Sequence, residues 1–114
     1  MEKEYRIKKT SDFDKIIKKK QSFANRQFVM YYQKNNLEHM RLGISVSKKL
    51  GKAHKRNKLK RYVRESFKTK KESLANYDII VIVRPMAVDI DFQNFEKSIN
   101  HILKKVKLYS EKRD

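Results

Sequence analysis

Lys55-Arg56-Asn57-Lys58-Leu59-Lys60-Arg61-Tyr62-Val63-Arg64 sets six cationic side chains within ten residues and still keeps Leu59 and Val63 four apart. A solvated charged tail has no use for that apolar spacing; a helix docked on a core does. Extending the pattern to Phe67 predicts a helix from about Arg56 to Lys70, with Leu59, Val63 and Phe67 facing inward. At about 100° per residue, Asn57, Lys60, Arg61, Arg64, Lys68 and Lys71 then share an arc of roughly 100°. A helix exposed only to water usually mixes signs to gain pairs at i,i+4. Here residues 48–71 hold 12 basic residues and one acid, Glu65. The stretch therefore predicts a rigid basic face turned to a polyanion, and nucleic acid is the expected partner.

The rest of the chain agrees. Its 114 residues suit one domain, 1–114, and Lys plus Arg number 30 against 13 Asp plus Glu, a net charge of +17. Residues 48–71 supply +11 of that total, so the charge is a patch rather than a coat. With no cysteine, disulfides and thiolate metal sites are excluded, which fits a cytoplasmic home. The opening Met-Glu-Lys-Glu-Tyr-Arg lacks the apolar stretch of a signal peptide, and the longest apolar run, Ile79 to Val83, is too short to cross a bilayer.

Outward from the basic helix, the periodicities predict an α+β domain in the order α-β-β-α-β-α, with at least three strands. A short first helix follows Thr10-Ser11-Asp12, with Ser11 as its expected cap and Phe13, Ile16 and Ile17 on one face. Phe23 to Tyr32 reads as one long strand, with Phe23, Asn25, Gln27, Val29 and Tyr31 on one face and Ala24, Arg26, Phe28, Met30 and Tyr32 on the other. Asn35-Asn36 marks a turn. Arg41 to Ser47 is a second strand whose Leu42, Ile44 and Val46 oppose the small residues Gly43, Ser45 and Ser47. Lys48 to Lys55 is a basic loop around Gly51. Ile79 to Val83 is a central strand covered on both sides, ended by Pro85. A last helix starts at Asp89 or Asp91 and buries Phe92, Phe95, Ile99, Ile102 and Val106; its tail, from about residue 108, is expected to fray.

Hydrolytic chemistry by the chain itself finds no support. His39, His54 and His101 lie at no ligand spacing, Asp12 and Asp14 point about 200° apart on a helix, and Gly43 and Gly51 make no phosphate-cradling loop. No catalytic residue and no metal ligand is assigned. Binding residues are another matter. Phe13, Val29, Tyr31, Gly43 and Ser45 are placed to line one groove, where bases of a single strand stack while cations hold the backbone; the competing reading makes the aromatics ordinary core. Asn57 either caps the basic helix or contacts RNA, and Arg56, Arg61 and Arg64 can each fork onto phosphate oxygens.

Three blocks then form a recognisable set. Ser22-Phe23-Ala24-Asn25-Arg26-Gln27-Phe28, Arg41-Leu42-Gly43-Ile44-Ser45-Val46-Ser47-Lys48-Lys49-Leu50-Gly51 and Arg56-Asn57-Lys58-Leu59-Lys60-Arg61-Tyr62-Val63-Arg64-Glu65 resemble, in order and spacing, the protein subunit of bacterial ribonuclease P. Arg6-Ile7-Lys8-Lys9 and Asp12-Phe13 extend the likeness over most of the chain. The resemblance implies a sandwich like the second domain of ribosomal protein S5, with a left-handed β-α-β crossover. It implies a protein cofactor that joins a catalytic RNA, while the complex removes the 5′ leader of precursor tRNA using magnesium ions held by the RNA. It implies Arg56, Asn57, Lys58, Lys60, Arg61 and Arg64 as contacts to the catalytic RNA, and Phe13, Ile17, Val29, Tyr31, Gly43 and Ser45 as the leader groove. Arg26, Lys48, Lys49 and Lys52 are expected as further basic RNA contacts. Neither a membrane nor a small-molecule substrate is expected.

The chain departs from the family pattern in a few places. Lys58 stands where a second arginine is common and lacks the planar fork. Ile17 replaces a frequent aromatic, and Lys20 and Lys52 replace a common glycine and asparagine. The rival readings are a structural ribosomal or RNA-assembly protein, a DNA-groove binder and a protein-only nuclease.

Overall fold

Tyr77–Val83 (β4) organises the domain, because its apolar run has a surface to cover on each side of the sheet. The computed structural model describes residues 5–74 and 76–106. The elements are α1 (Thr10–Lys18), β1 (Ser22–Ala24), β2 (Phe28–Lys34), β3 (Arg41–Ser45), α2 (Ala53–Lys68), β4 and α3 (Phe92–Lys105). Short 3₁₀ turns at Lys48–Leu50 and Pro85–Ala87 precede α2 and α3. The sheet order is β1-β2-β4-β3; β4 pairs antiparallel with β2 and parallel with β3, so α2 is the crossover of a parallel β-α-β unit. The fold is α+β with four strands where at least three were expected.

Alternation along the strands splits the core in two. Phe28, Met30, Leu42, Ile79, Val81 and Val83 pack under α2 and α3, whose Leu59, Val63, Phe67, Phe95, Ile99 and Ile102 close the main core. Each such side chain contributes about 1.5–3 kcal/mol by leaving water. Ile80, on the opposite face, meets Ile7 and Ile16 in a smaller cluster beneath α1. Leu103 is buried too, beyond the stripe read from sequence. Asp91 caps α3, its Oδ1 accepting from Asn94 N at 2.9 Å.

Several expectations need correction. Phe23 to Tyr32 is a hairpin rather than one strand: β1 folds back on β2 with Phe23 opposite Met30. Asn25 makes the break, its Oδ1 accepting from Gln27 N and Phe28 N at 3.0 and 2.9 Å. That turn reverses the face assignment, so Phe23 joins the main core instead of sharing a face with Tyr31. Ser11 does not cap α1. The helix begins at Thr10 after Lys9, without a side-chain cap. The basic helix starts at Ala53 after Lys52, three residues early, which places Asn57 inside it and rules out its capping role. It ends at Lys68, so Lys71 leaves the predicted arc; its Nζ lies 4.6 Å from the Tyr5 ring centroid. The expected fraying from about 108 lies outside the described residues.

Candidate nucleic-acid interface

The basic face of α2 is set by where its apolar stripe goes. With Leu59, Val63 and Phe67 fully buried, Asn57, Arg61 and Lys68 are exposed, and Lys60 and Arg64 lie half-buried beside the stripe. Arg56 Nε donates to Gly51 O at 3.1 Å, tying the helix start to the preceding loop. Gly51 has φ 145° and ψ −177°, a conformation nearly closed to other residues. That bend delivers the exposed Lys48, Lys49 and Lys52 to the same end of α2. Lys58 sits off the arc, with its Nζ 5.4 Å from the Tyr62 ring centroid, on the flank turned to α3. Arg26 is elsewhere, exposed on the turn between β1 and β2.

The residues expected to line the groove lie on the other face of the sheet. Register puts Tyr31, Ile80 and Gly43 in one row across β2, β4 and β3, and Val29, Ile82 and Ser45 in the next. The small helix covers the first row, through Ile16 on Ile80 and Phe13 on Gly43. The second row stays open: Val29 and Ile82 are half-buried and Ser45 is exposed. Phe13, Ile17 and Tyr31, all half-buried, form the wall where shelf and helix meet. Gly43 is required there by close approach, since a Cβ on it would stand 2.6 Å from Phe13 Cζ.

The two predicted surfaces meet at the edge of β3. A cleft of about 220 Å³ there is lined by Arg6, Ile7, Phe13, Leu42, Ile44, Lys60 and Arg64. Phe13 reaches it from the α1 side, and Lys60 and Arg64 from the α2 side. An aromatic wall and three cations, Arg6, Lys60 and Arg64, thus border one opening, an arrangement that can stack a base and neutralise the adjoining phosphates.

Below the cleft, a charge network fixes the strand that carries it. Arg41 forks onto Asp78, Nε to Oδ1 at 3.0 Å and Nη2 to Oδ2 at 2.7 Å, and lies 3.6 Å from Asp12 of α1. Asn35 Nδ2 also donates to Asp78 Oδ1, at 2.7 Å. The hydrogen bond to Asp78 holds the Arg41 guanidinium above its ordinary pKa; partial burial opposes this, and the charges of Asp78 and Asp12 add to it. Among the described residues no group of three or more His, Cys, Asp or Glu is placed to hold a metal ion.

Comparison with known proteins decides the family. The family model described as Ribonuclease P matches residues 1–107. The ribonuclease P protein component of Staphylococcus haemolyticus is 52% identical over 112 residues, covering 98% of each chain. The chain belongs to the ribonuclease P protein family. A solved structure of the Staphylococcus aureus RNase P protein superposes with a TM-score of 0.87 at 52% identity, covering 92% of this chain and 97% of that one. The Thermotoga maritima RNase P protein does so with a TM-score of 0.80 at 38% identity, covering 88% and 96%. Membership gives the function at the level of the family: the protein subunit of ribonuclease P, in tRNA 5′ processing.

Some of the lining is not legible in local sequence pattern. Ile82, expected to be covered on both sides, is half-buried and floors the open row; the signal for this is the pair of small residues, Gly43 and Ser45, on the neighbouring β3. Arg6 and Ile44 also border the cleft. Arg6 is brought there by a parallel bridge to Leu42, which local periodicity does not reveal. Lys20 adopts φ 58°, the left-handed region that glycine enters freely. No helix among the described residues is long and apolar enough to cross a membrane.

Proposed function

We propose that this protein acts in the cytoplasm as the non-catalytic cofactor of the ribonuclease P ribonucleoprotein. Asn57, Lys60, Arg61 and Arg64 of α2, with Arg56 and the loop cations Lys48, Lys49 and Lys52, hold phosphates of the catalytic RNA. Phe13, Ile17, Val29, Tyr31, Gly43 and Ser45, with Ile82 added, receive the 5′ leader of precursor tRNA by stacking and backbone contact. Bond cleavage belongs to the RNA subunit and its magnesium ions. One observation carries this reading: the cleft at the β3 edge, where Phe13 faces Lys60 and Arg64. Through it, one small protein holds leader and catalytic RNA side by side, raising their local concentration.

The test is leader cleavage at low magnesium by a bacterial ribonuclease P RNA, with and without the protein. Strong stimulation is expected, with none from an equally basic control protein and no cutting by the protein alone. Tight RNA binding without stimulation would instead favour a structural RNA-binding protein.

A further inference from the structure

The cation that α2 leaves behind, Arg26, is held in place with unusual care. Besides closing the turn, Asn25 donates from Nδ2 to Ser98 O and Ser98 Oγ at 3.1 and 2.8 Å, and Ser98 Oγ donates to Gln27 Oε1 at 2.9 Å. Arg84 donates from N to Gln27 O at 2.9 Å and from Nη1 to Asn25 O at 2.8 Å. The turn is therefore bolted to α3 and to the end of β4, while Arg26 at its tip stays exposed. Beside it opens a cleft of about 480 Å³ lined by Asn25, Arg26, Gln27, Ile90, Asn94, Lys97, Ser98 and His101.

That lining contains no acid, and the neighbouring acids are engaged elsewhere. Asp89 pairs with Lys55 and Glu96 with Lys70, both at 3.4 Å, and Asp91 caps its own helix. Among the described residues no ion pair involves Arg26, Lys97 or His101. The cleft thus combines the unpaired cations Arg26 and Lys97 with the side-chain amides of Gln27 and Asn94 on a rigid frame, which suits a phosphodiester and its ribose hydroxyls. Its place in the fold separates it from the first cleft. It lies beside β1, whereas Lys60, Arg64 and Phe13 meet at β3, the opposite edge of the sheet. Three strand spacings, about 14 Å, lie between those edges.

The geometry points to a second RNA-backbone site in the cleft between the β1–β2 turn and α3. It takes phosphates of the catalytic RNA at a segment other than the one held by α2, so the protein ties two parts of that RNA together. This rests on the reading of the protein as the ribonuclease P cofactor, and the experiment separates the two.

Arg26→Ala/Lys97→Ala leaves the Asn25–Ser98–Gln27 network intact, which a thermal melt checks. Its affinity for ribonuclease P RNA is measured against salt, with hydroxyl-radical footprinting, beside Arg61→Ala/Arg64→Ala and a charge-matched control, Lys18→Ala/Lys19→Ala. The expected result is roughly tenfold weaker binding and a log–log salt slope shallower by about 2. Protection should disappear at nucleotides distinct from those lost with Arg61→Ala/Arg64→Ala. A slope and footprint matching the Lys18→Ala/Lys19→Ala control would overturn the second site and leave the α2 reading standing. Protection lost only on precursor tRNA would also overturn it. If the Arg61→Ala/Arg64→Ala protein binds as the wild type does, the reading beneath it fails as well.

Discussion

Gly43→Ala is the sharpest probe of the proposed leader wall, because the three atoms nearest the new methyl group all belong to the Phe13 ring. The added Cβ would stand 2.6 Å from Phe13 Cζ and 3.1 and 3.2 Å from Cε1 and Cε2. Restoring van der Waals contact requires the ring tip to retreat by roughly 1 Å. The helix cannot retreat as a body without lifting the fully buried Ile16 from Ile80. The ring must therefore swing away from the strand, at a cost of about 1–3 kcal/mol in stability. One lost base stack is worth about 1–3 kcal/mol, so precursor tRNA should bind the reconstituted enzyme about tenfold more weakly, or worse. Fluorescence anisotropy with leader-bearing and leaderless tRNA is the assay, and leaderless tRNA and catalytic RNA should bind as before. Phe13→Leu combined with Gly43→Ala removes the ring tip; it should recover stability but not leader affinity. A folded Gly43→Ala protein with unchanged leader-dependent affinity would refute the claim that Phe13 is held in place for stacking.

Asp78 is 1% exposed and holds both Arg41 and Asn35, so Asp78→Asn should cost about 2–3 kcal/mol in urea unfolding, discounted for the partial exposure of Arg41. Arg41 has a raised folded pKa, so its contribution persists below its unfolded value and fades only at more alkaline pH; the Asp78→Asn deficit should be equal at pH 7 and pH 9. Lys20→Gly should stabilise the domain by about 1 kcal/mol, read as a higher melting temperature, because it removes a side chain from a left-handed position. Ile82→Thr keeps the β-branched shape on the open row and should weaken leader binding severalfold without weakening catalytic-RNA binding; an equal loss for leaderless tRNA would remove Ile82 from the groove.

Much of the fold was legible because its elements are strongly periodic. The four-residue spacing of Leu59, Val63 and Phe67 admits one burial pattern, and the unbroken run of β4 marks the central strand, although not the half-buried Ile82 within it. The basic face of α2 follows from the same spacing, since fixing the buried side fixes the exposed one. The start of α2 was not legible: Ala53, His54 and Lys55 carry no apolar periodicity, and the helix gains those residues from the Gly51 bend and the Arg56–Gly51 bond. The hairpin escaped for a different reason. Phe23 to Tyr32 alternates well enough for a continuous strand; Asn25 turns the chain locally at Gln27 and Phe28, and its other side-chain bonds anchor that turn to Ser98, 73 residues away. A turn secured by such a distant partner leaves little trace in local pattern.

That hidden hairpin also bears on how a chain of net charge +17 manages its self-repulsion. Had the segment run as one strand, Arg26 would have shared a face with Phe28 and Met30, in the main core. Folding back at Asn25 carries it to the rim, beside Lys97 and His101 and at the opposite edge from Lys60 and Arg64. Charge is thereby divided between two edges of one sheet, with the apolar layers between them. Separation by more than about 8 Å puts such surface charges beyond a Debye length at physiological salt, where their mutual repulsion is largely screened. Each cluster remains dense enough to engage phosphates on its own. The same turn therefore lowers the electrostatic strain on the free protein and creates the second contact surface proposed for the RNA.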